Sequence, residues 1–148
     1  MSRVVRQRRA SQREQGSWNQ LVAFHARVSE MVEKALAERF GLSLSEYGAL
    51  DVLAKAAAAE GVRMQALADT VGLTQSSVSR LVARLERQNL VERSLYEKDR
   101  RGVFTRITDA GRDLVAAATP IYLQTLAAAF DRAIADPDLQ ELVERIGR

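Results

Sequence analysis

Cysteine is absent from this 148-residue chain. That excludes disulfides, thiolate metal sites and thiol-based redox sensing. Histidine occurs once, at His25. A histidine metal centre or a histidine-dependent active site has almost nothing to be built from, and neither a metal nor any other cofactor is expected. Ser76, Ser77 and Ser79 supply hydroxyls, but His25 has no evident catalytic partner and there is no glycine-rich phosphate loop, so the chain does not read as an enzyme. Aromatic residues make up only 5 %. The core must then come mostly from Leu, Val and Ala, which favours packed helices over a β-sandwich. No stretch approaches the roughly 18 apolar residues that a membrane span needs. The charged N-terminus has no apolar segment behind it, so it is not a secretory signal. A cytoplasmic protein with no membrane partner is the expectation.

What the chain does contain is enough apolar residue for a core, 47 %, and an uneven distribution of positive charge. The net charge is only +3, yet residues 1–13 hold Arg3, Arg6, Arg8, Arg9 and Arg13 with no acid. Thr74 to Arg106 carries eight basic against four acidic residues. Residues 1–16 read as a flexible basic arm ending at Gly16.

Helical spacing then takes over. Ser17 stands three residues before Gln20, as in a capping box, and Trp18, Leu21, Val22, His25, Val28, Val32, Ala35 and Leu36 form one apolar stripe of a long helix ending near Gly41. Ser43 and Glu46 make a second capping box. Tyr47, Leu50, Leu53 and Ala54 mark the inner face of the helix that follows. Met64 to Val71 is a short helix broken by Gly72. Thr74 caps the next, whose inner side is Val78, Leu81, Val82 and Leu85 and which ends near Asn89. The period changes after that: Leu90 to Leu95 and Val103 to Ile107 read as two strands around a polar turn. Thr108 caps another long helix, expected to kink at Pro120. Asp136-Pro137 reads as the start of a last one.

The pair of helices joined through Ala68-Asp69-Thr70-Val71-Gly72 has helix-turn-helix spacing. The outer face of the second helix, Thr74, Gln75, Ser76, Ser77, Ser79, Arg80 and Arg84, is polar with no acid before Glu86. Small hydroxyls at a helix N-terminus approach phosphates closely, and Gln and Arg pair adenine and guanine in the major groove. The hairpin after it would be a second reader. Arg100 and Arg101 at its tip suit a narrow minor groove, with Asp99 holding one of them by a charge-assisted bond. The fold class is therefore mainly α with a small β-hairpin wing, and the partner is double-stranded DNA.

Leu67-Ala68, Gly72-Leu73-Thr74, Ser79-Arg80, Leu85-Glu86, Leu90-Val91-Glu92-Arg93, Asp99-Arg100-Arg101 and Ile107-Thr108-Asp109-Ala110-Gly111 stand in the order and spacing of one family signature. Over Trp18 to Arg148 the chain resembles the MarR family of bacterial winged helix-turn-helix regulators. Asn89 replaces the family's usual Gly, and the arginine-rich arm is not a general feature of the family. The resemblance implies a homodimer held by N- and C-terminal helices, with Trp18, Leu21, Leu139, Leu142, Val143 and Ile146 as contacts. It implies residues 17–148 as one domain: dimerisation helices at 17–42 and 120–148, a winged lobe at 43–119, and one long helix, 108–135, joining the two. It further implies a repressor on a pseudo-palindromic operator, released by a small aromatic or phenolic ligand in a pocket lined by Trp18, His25, Tyr47 and Tyr122. The competing reading is an architectural DNA-binding or protein-contact module without sequence preference, which the basic arm would suit.

Overall fold

Helix α1 runs unbroken from Arg3 to Phe40 in the computed structural model, which describes residues 3–57, 60–95 and 102–147. The helix thus begins well before Ser17, and Gly16 lies inside it. The straight-chain residues around Gly16, such as Gln12, Arg13, Glu14 and Gln15, are good helix formers. A single interior Gly costs only about 1 kcal/mol against Ala, too little to stop a helix supported on both sides. α2 (Leu44–Lys55) opens on the expected capping box. The Glu46 N–H donates to Ser43 Oγ at 3.0 Å, and the Ser43 N–H donates to the Glu46 carboxylate at 2.9 Å. Next come β1 (Val62–Arg63), α3 (Met64–Val71), α4 (Gln75–Arg87), β2 (Val91–Leu95), β3 (Val103–Ile107), α5 (Asp109–Ile134) and α6 (Gln140–Ile146).

The three strands form one antiparallel sheet in the order β1-β3-β2, with Val62 opposite Thr105 on one side and Arg93 opposite Thr105 on the other. β1 was not expected from the sequence: two residues are too few to show a period. α5 continues through Pro120. Against the expectation that no stretch approaches the apolar length of a membrane span, an 18-residue window of α5 reaches a mean hydropathy of 1.2, enough to cross a membrane by length and composition alone. The cause is its runs of alanine. In the fold Val115, Ala118, Ala129 and Ala133 of this helix are buried, while Leu123 and Ile134 are exposed.

The chain forms two compact units, residues 36–121 and residues 1–35 with 122–148. The first holds the sheet, α2, α3 and α4, and its core includes Leu50, Leu53, Leu67, Val82, Leu85 and Val91. In the second, Phe24 packs with Ala133, Leu139 and Val143. The rings of Phe24 and Phe130 meet edge to face at 5.1 Å, a favoured aromatic geometry. Gln20 donates to the Asp138 carbonyl at 2.7 Å, and Arg27 pairs with Asp136. Asp136 also accepts the Asp138 N–H at 2.9 Å, while its carbonyl takes the N–H groups of Leu139 and Gln140. Asp136-Pro137 is therefore a turn, and α6 starts three residues later than the sequence suggests. The Arg27 guanidinium, helped by the Asp138 N–H, holds the Asp136 carboxyl below its ordinary value of 3.8.

Candidate nucleic-acid interface

The turn between α3 and α4 is built as its residues dictate. Gly72 ends α3 in the left-handed region at φ 70°, a conformation that costs a residue with a Cβ. The Leu73 N–H then closes onto the Ala68 carbonyl at 3.1 Å, and Thr74 caps α4 by accepting the Ser77 N–H at 3.2 Å. Ala68 is fully buried, as are Val78 and Val82 on α4. The amphipathic pattern thus fixes which face of α4 stays outside.

On that outer face Thr74, Gln75, Ser76 and Arg80 are exposed, and Ser77 and Ser79 are half-buried. Two of the expected hydroxyl contacts have structural work: Thr74 Oγ1 serves the cap and donates to Ser77 Oγ at 2.9 Å. Arg84 is committed too. Its Nε lies 3.1 Å from Oε1 of Glu46, a buried residue of α2 only 6 % exposed. On the other flank Glu86 pairs with Arg93 of β2 at 3.1 Å. Arg80 and Arg87 are exposed and stand outside any ion pair among the described residues.

The wing is braced at its base. Arg106 bonds Glu92 across the β2–β3 register at 2.7 Å. Asn89 adopts φ 59°, as expected of a residue tolerant of the left-handed region. Thr108 Oγ1 donates to the Asn89 carbonyl at 2.7 Å, and the Thr108 N–H donates to the Leu90 carbonyl at 3.0 Å. The buried Thr105 hydroxyl donates to the Met64 sulfur at 3.0 Å, tying the sheet to α3. Asp99, Arg100 and Arg101 lie outside the described residues.

Sequence reasoning missed a cleft of about 260 Å³ lined by Arg63, Gln65, Gln75, Ser79, Arg93 and Val103, which brings the starts of α3 and α4 together with the wing. Arg63 also lies over the Phe104 ring, 5.2 Å from its centroid. The available signal was the basic and amide character of Arg63 and Gln65 just ahead of the helix-turn-helix. A second cleft, about 600 Å³, is lined by Leu53, Gly61, Glu92, Arg106, Thr108 and Arg112 among others.

Trp18, His25, Tyr47 and Tyr122 line neither cleft. Tyr47 is buried in residues 36–121, its hydroxyl 3.1 Å from Thr119 Oγ1. Trp18, His25 and Tyr122 belong to the other unit, where Trp18 is 63 % exposed and His25 Nε2 sits 3.4 Å from Ser29 Oγ. Of the expected dimer contacts, Leu139 and Val143 are already covered by their own chain, because α6 turns that stripe onto Phe24. Trp18, Leu21 and Ile146 are exposed and Leu142 is half-buried. Among the described residues no group of three or more His, Asp or Glu is placed to hold a metal ion.

A profile described as the MarR family matches residues 40–102. No curated protein sequence matches the chain. Solved structures do. Sco3205 of Streptomyces coelicolor, a MarR family transcriptional regulator solved in complex with DNA, is 29 % identical, with a TM-score of 0.75 over 92 % of this chain and 84 % of that one. AbsC, a MarR family transcriptional regulator of the same organism, is 30 % identical, with a TM-score of 0.72 over 90 % and 88 %. CouR of Rhodococcus jostii, solved with p-coumaroyl-CoA, is 32 % identical, with a TM-score of 0.64 over 86 % and 85 %. With likeness of this degree spanning both units, and with the helix-turn-helix and wing in place, the chain belongs to the MarR family of transcriptional regulators.

Proposed function

We propose that this protein is a cytoplasmic, homodimeric, sequence-specific DNA-binding regulator that represses transcription from a pseudo-palindromic operator. The observation that carries the reading is α4. Thr74 caps it, its buried stripe fixes its orientation, and its outer face offers Gln75, Ser76, Ser79, Arg80 and Arg87 with no acid before Glu86. Such a helix suits the major groove: phosphates meet its N-terminal N–H groups, and base edges meet Gln and Arg. The segment joining β2 to β3 carries Asp99, Arg100 and Arg101 in its sequence, and the two arginines are the groups proposed to read the neighbouring minor groove. That the similar Sco3205 was solved on DNA supports this use of the fold.

Two copies would set two such helices about 34 Å apart, one helical turn of duplex. The exposed Trp18, Leu21, Val22 and Ile146 supply apolar surface for the partner. Release by a small aromatic or phenolic ligand is part of the proposal, supported by the p-coumaroyl-CoA held by CouR.

Selection of bound duplexes from a random pool at physiological salt tests the reading. Enrichment of one inverted repeat, preferred by on the order of 10³-fold over random DNA, is the expected result. Tight binding without enrichment would favour an architectural role, which the basic start of α1 would suit. No binding would refute the proposal.

A further inference from the structure

We infer that Glu46 is a positioning residue, one that withholds Arg84 from DNA and so limits sequence-independent phosphate binding. The inference rests on the DNA-binding reading above and adds to it a device on the flank of the recognition helix.

Residues of a helix are spaced by about 100°. With Val78, Leu81, Val82 and Leu85 buried, the crest of α4 is marked by Ser76, Arg80 and Arg87. Arg84 falls roughly 70° off that crest, on the side of α2, where its Nε meets Glu46 Oε1 at 3.1 Å. The carboxylate cannot follow Arg84 outward. Its other oxygen accepts the Ser43 N–H at 2.9 Å within the capping box, and the residue is 6 % exposed. A phosphate that drew Arg84 away would leave a buried carboxylate without its cation, a strongly unfavourable state. The phosphate, by contrast, is well solvated when it goes without Arg84. The competition therefore favours Glu46.

The opposite flank shows what a weaker bond looks like. Glu86 and Arg93 pair at the same distance, but there the carboxylate side chain is 45 % exposed, against 8 % for Glu46, whose partner Arg84 is 54 % exposed. Water and salt can solvate Glu86 when its bridge opens, and Glu46 has no such relief. Arg80 and Arg87 meet the duplex; Arg84 does not. Only cations that sit on phosphates release counterions. Caging one of them lowers affinity for every sequence alike and leaves base readout untouched, so sequence-independent binding to bulk DNA weakens and becomes less salt-dependent while the ratio of specific to non-specific affinity stays the same.

The test is fluorescence anisotropy of the full chain on a short random-sequence duplex across a potassium chloride series, with Arg84→Gln, Glu46→Gln, both together, and Arg80→Gln. Gln at this position can still accept in a capping box, so Glu46→Gln keeps the start of α2. Each phosphate contact contributes about 0.9 to the slope of log K against log salt. Arg80→Gln should lower the slope by that amount per bound chain, while Arg84→Gln should leave it unchanged. Glu46→Gln should raise the slope by a similar amount and tighten non-specific binding, and the double variant should return to the parent. Should Arg84→Gln fail to fold in a thermal melt, Glu46→Gln and the double variant still decide. A fall in slope for Arg84→Gln equal to that for Arg80→Gln, or no rise for Glu46→Gln, overturns the inference while DNA binding stands. A parent that binds no duplex at all defeats the DNA-binding reading and this inference with it.

Discussion

Replacing Gly111 by alanine adds one methyl group where the first turn of α5 passes the end of α4's connection to the wing. A β-carbon there would lie 2.2 Å from the Leu90 carbonyl oxygen and 2.7 Å from Ile107 Cγ1. Neither neighbour yields cheaply. The carbonyl already accepts the Thr108 N–H at 3.0 Å, and Ile107 is buried. Overpacking a filled site costs about 1–3 kcal/mol, and a contact with backbone puts this one near the upper end. Alanine recovers up to about 1 kcal/mol of helix propensity, leaving a net loss of about 2 kcal/mol. At about 2–4 °C per kcal/mol for a chain of this size, Gly111→Ala should melt roughly 4–8 °C below the parent. Gly48→Ala is the matched control: a β-carbon at Gly48 meets nothing within 4 Å, so only the propensity gain remains. Its melting temperature should rise by about 2–4 °C. Far-UV circular dichroism melts at one fixed protein concentration read both. A Gly111→Ala variant as stable as the parent would refute the steric argument.

Arg80→Ala should weaken operator binding and reduce its salt slope by about 0.9 per bound chain, with the oligomeric state unchanged in light scattering; equal affinity would remove Arg80 from the interface. Deleting residues 1–13 takes away five arginines and should lower both affinity and salt dependence, as titrations at several ionic strengths would show; an unchanged slope would assign the segment elsewhere. Asp136→Asn tests the Arg27 pair through pH. The folded-state pKa of Asp136 is depressed, so its contribution is fully present above the ordinary value of 3.8 and is lost as pH falls through the lower folded value. The variant should melt below the parent at neutral pH, and the gap should close in strong acid; a gap that stayed constant would show the pair to be irrelevant.

The helix-turn-helix was legible in the sequence because it is built from local signals. Gly72, Thr74 and the stripe Val78-Leu81-Val82-Leu85 each act within a few residues, and each appears where expected. The Ser43–Glu46 box was legible for the same reason. The second use of Glu46, as the partner of Arg84, was not, because the two are separated in sequence and meet only when α2 and α4 pack. The cleft containing Arg63 and Arg93 was hidden similarly, since β1 is too short to announce a strand. The start of α1 was misread because a capping box inside a helix looks like one at its end. Leu139 and Val143 showed the apolar stripe correctly, but a stripe does not say whether it covers its own chain or another.

The small sheet leaves two open borders, and both are poor templates for unwanted pairing. β1 offers only Val62 and Arg63. β2, at the other border, places Glu92 and Arg93 in its middle, and charged residues on an edge strand discourage strands from adding. A protein that presents a hairpin to a nucleic-acid groove must keep that hairpin from zippering onto another copy at high concentration. In this chain, that protection against aggregation is written into the strand that carries the wing.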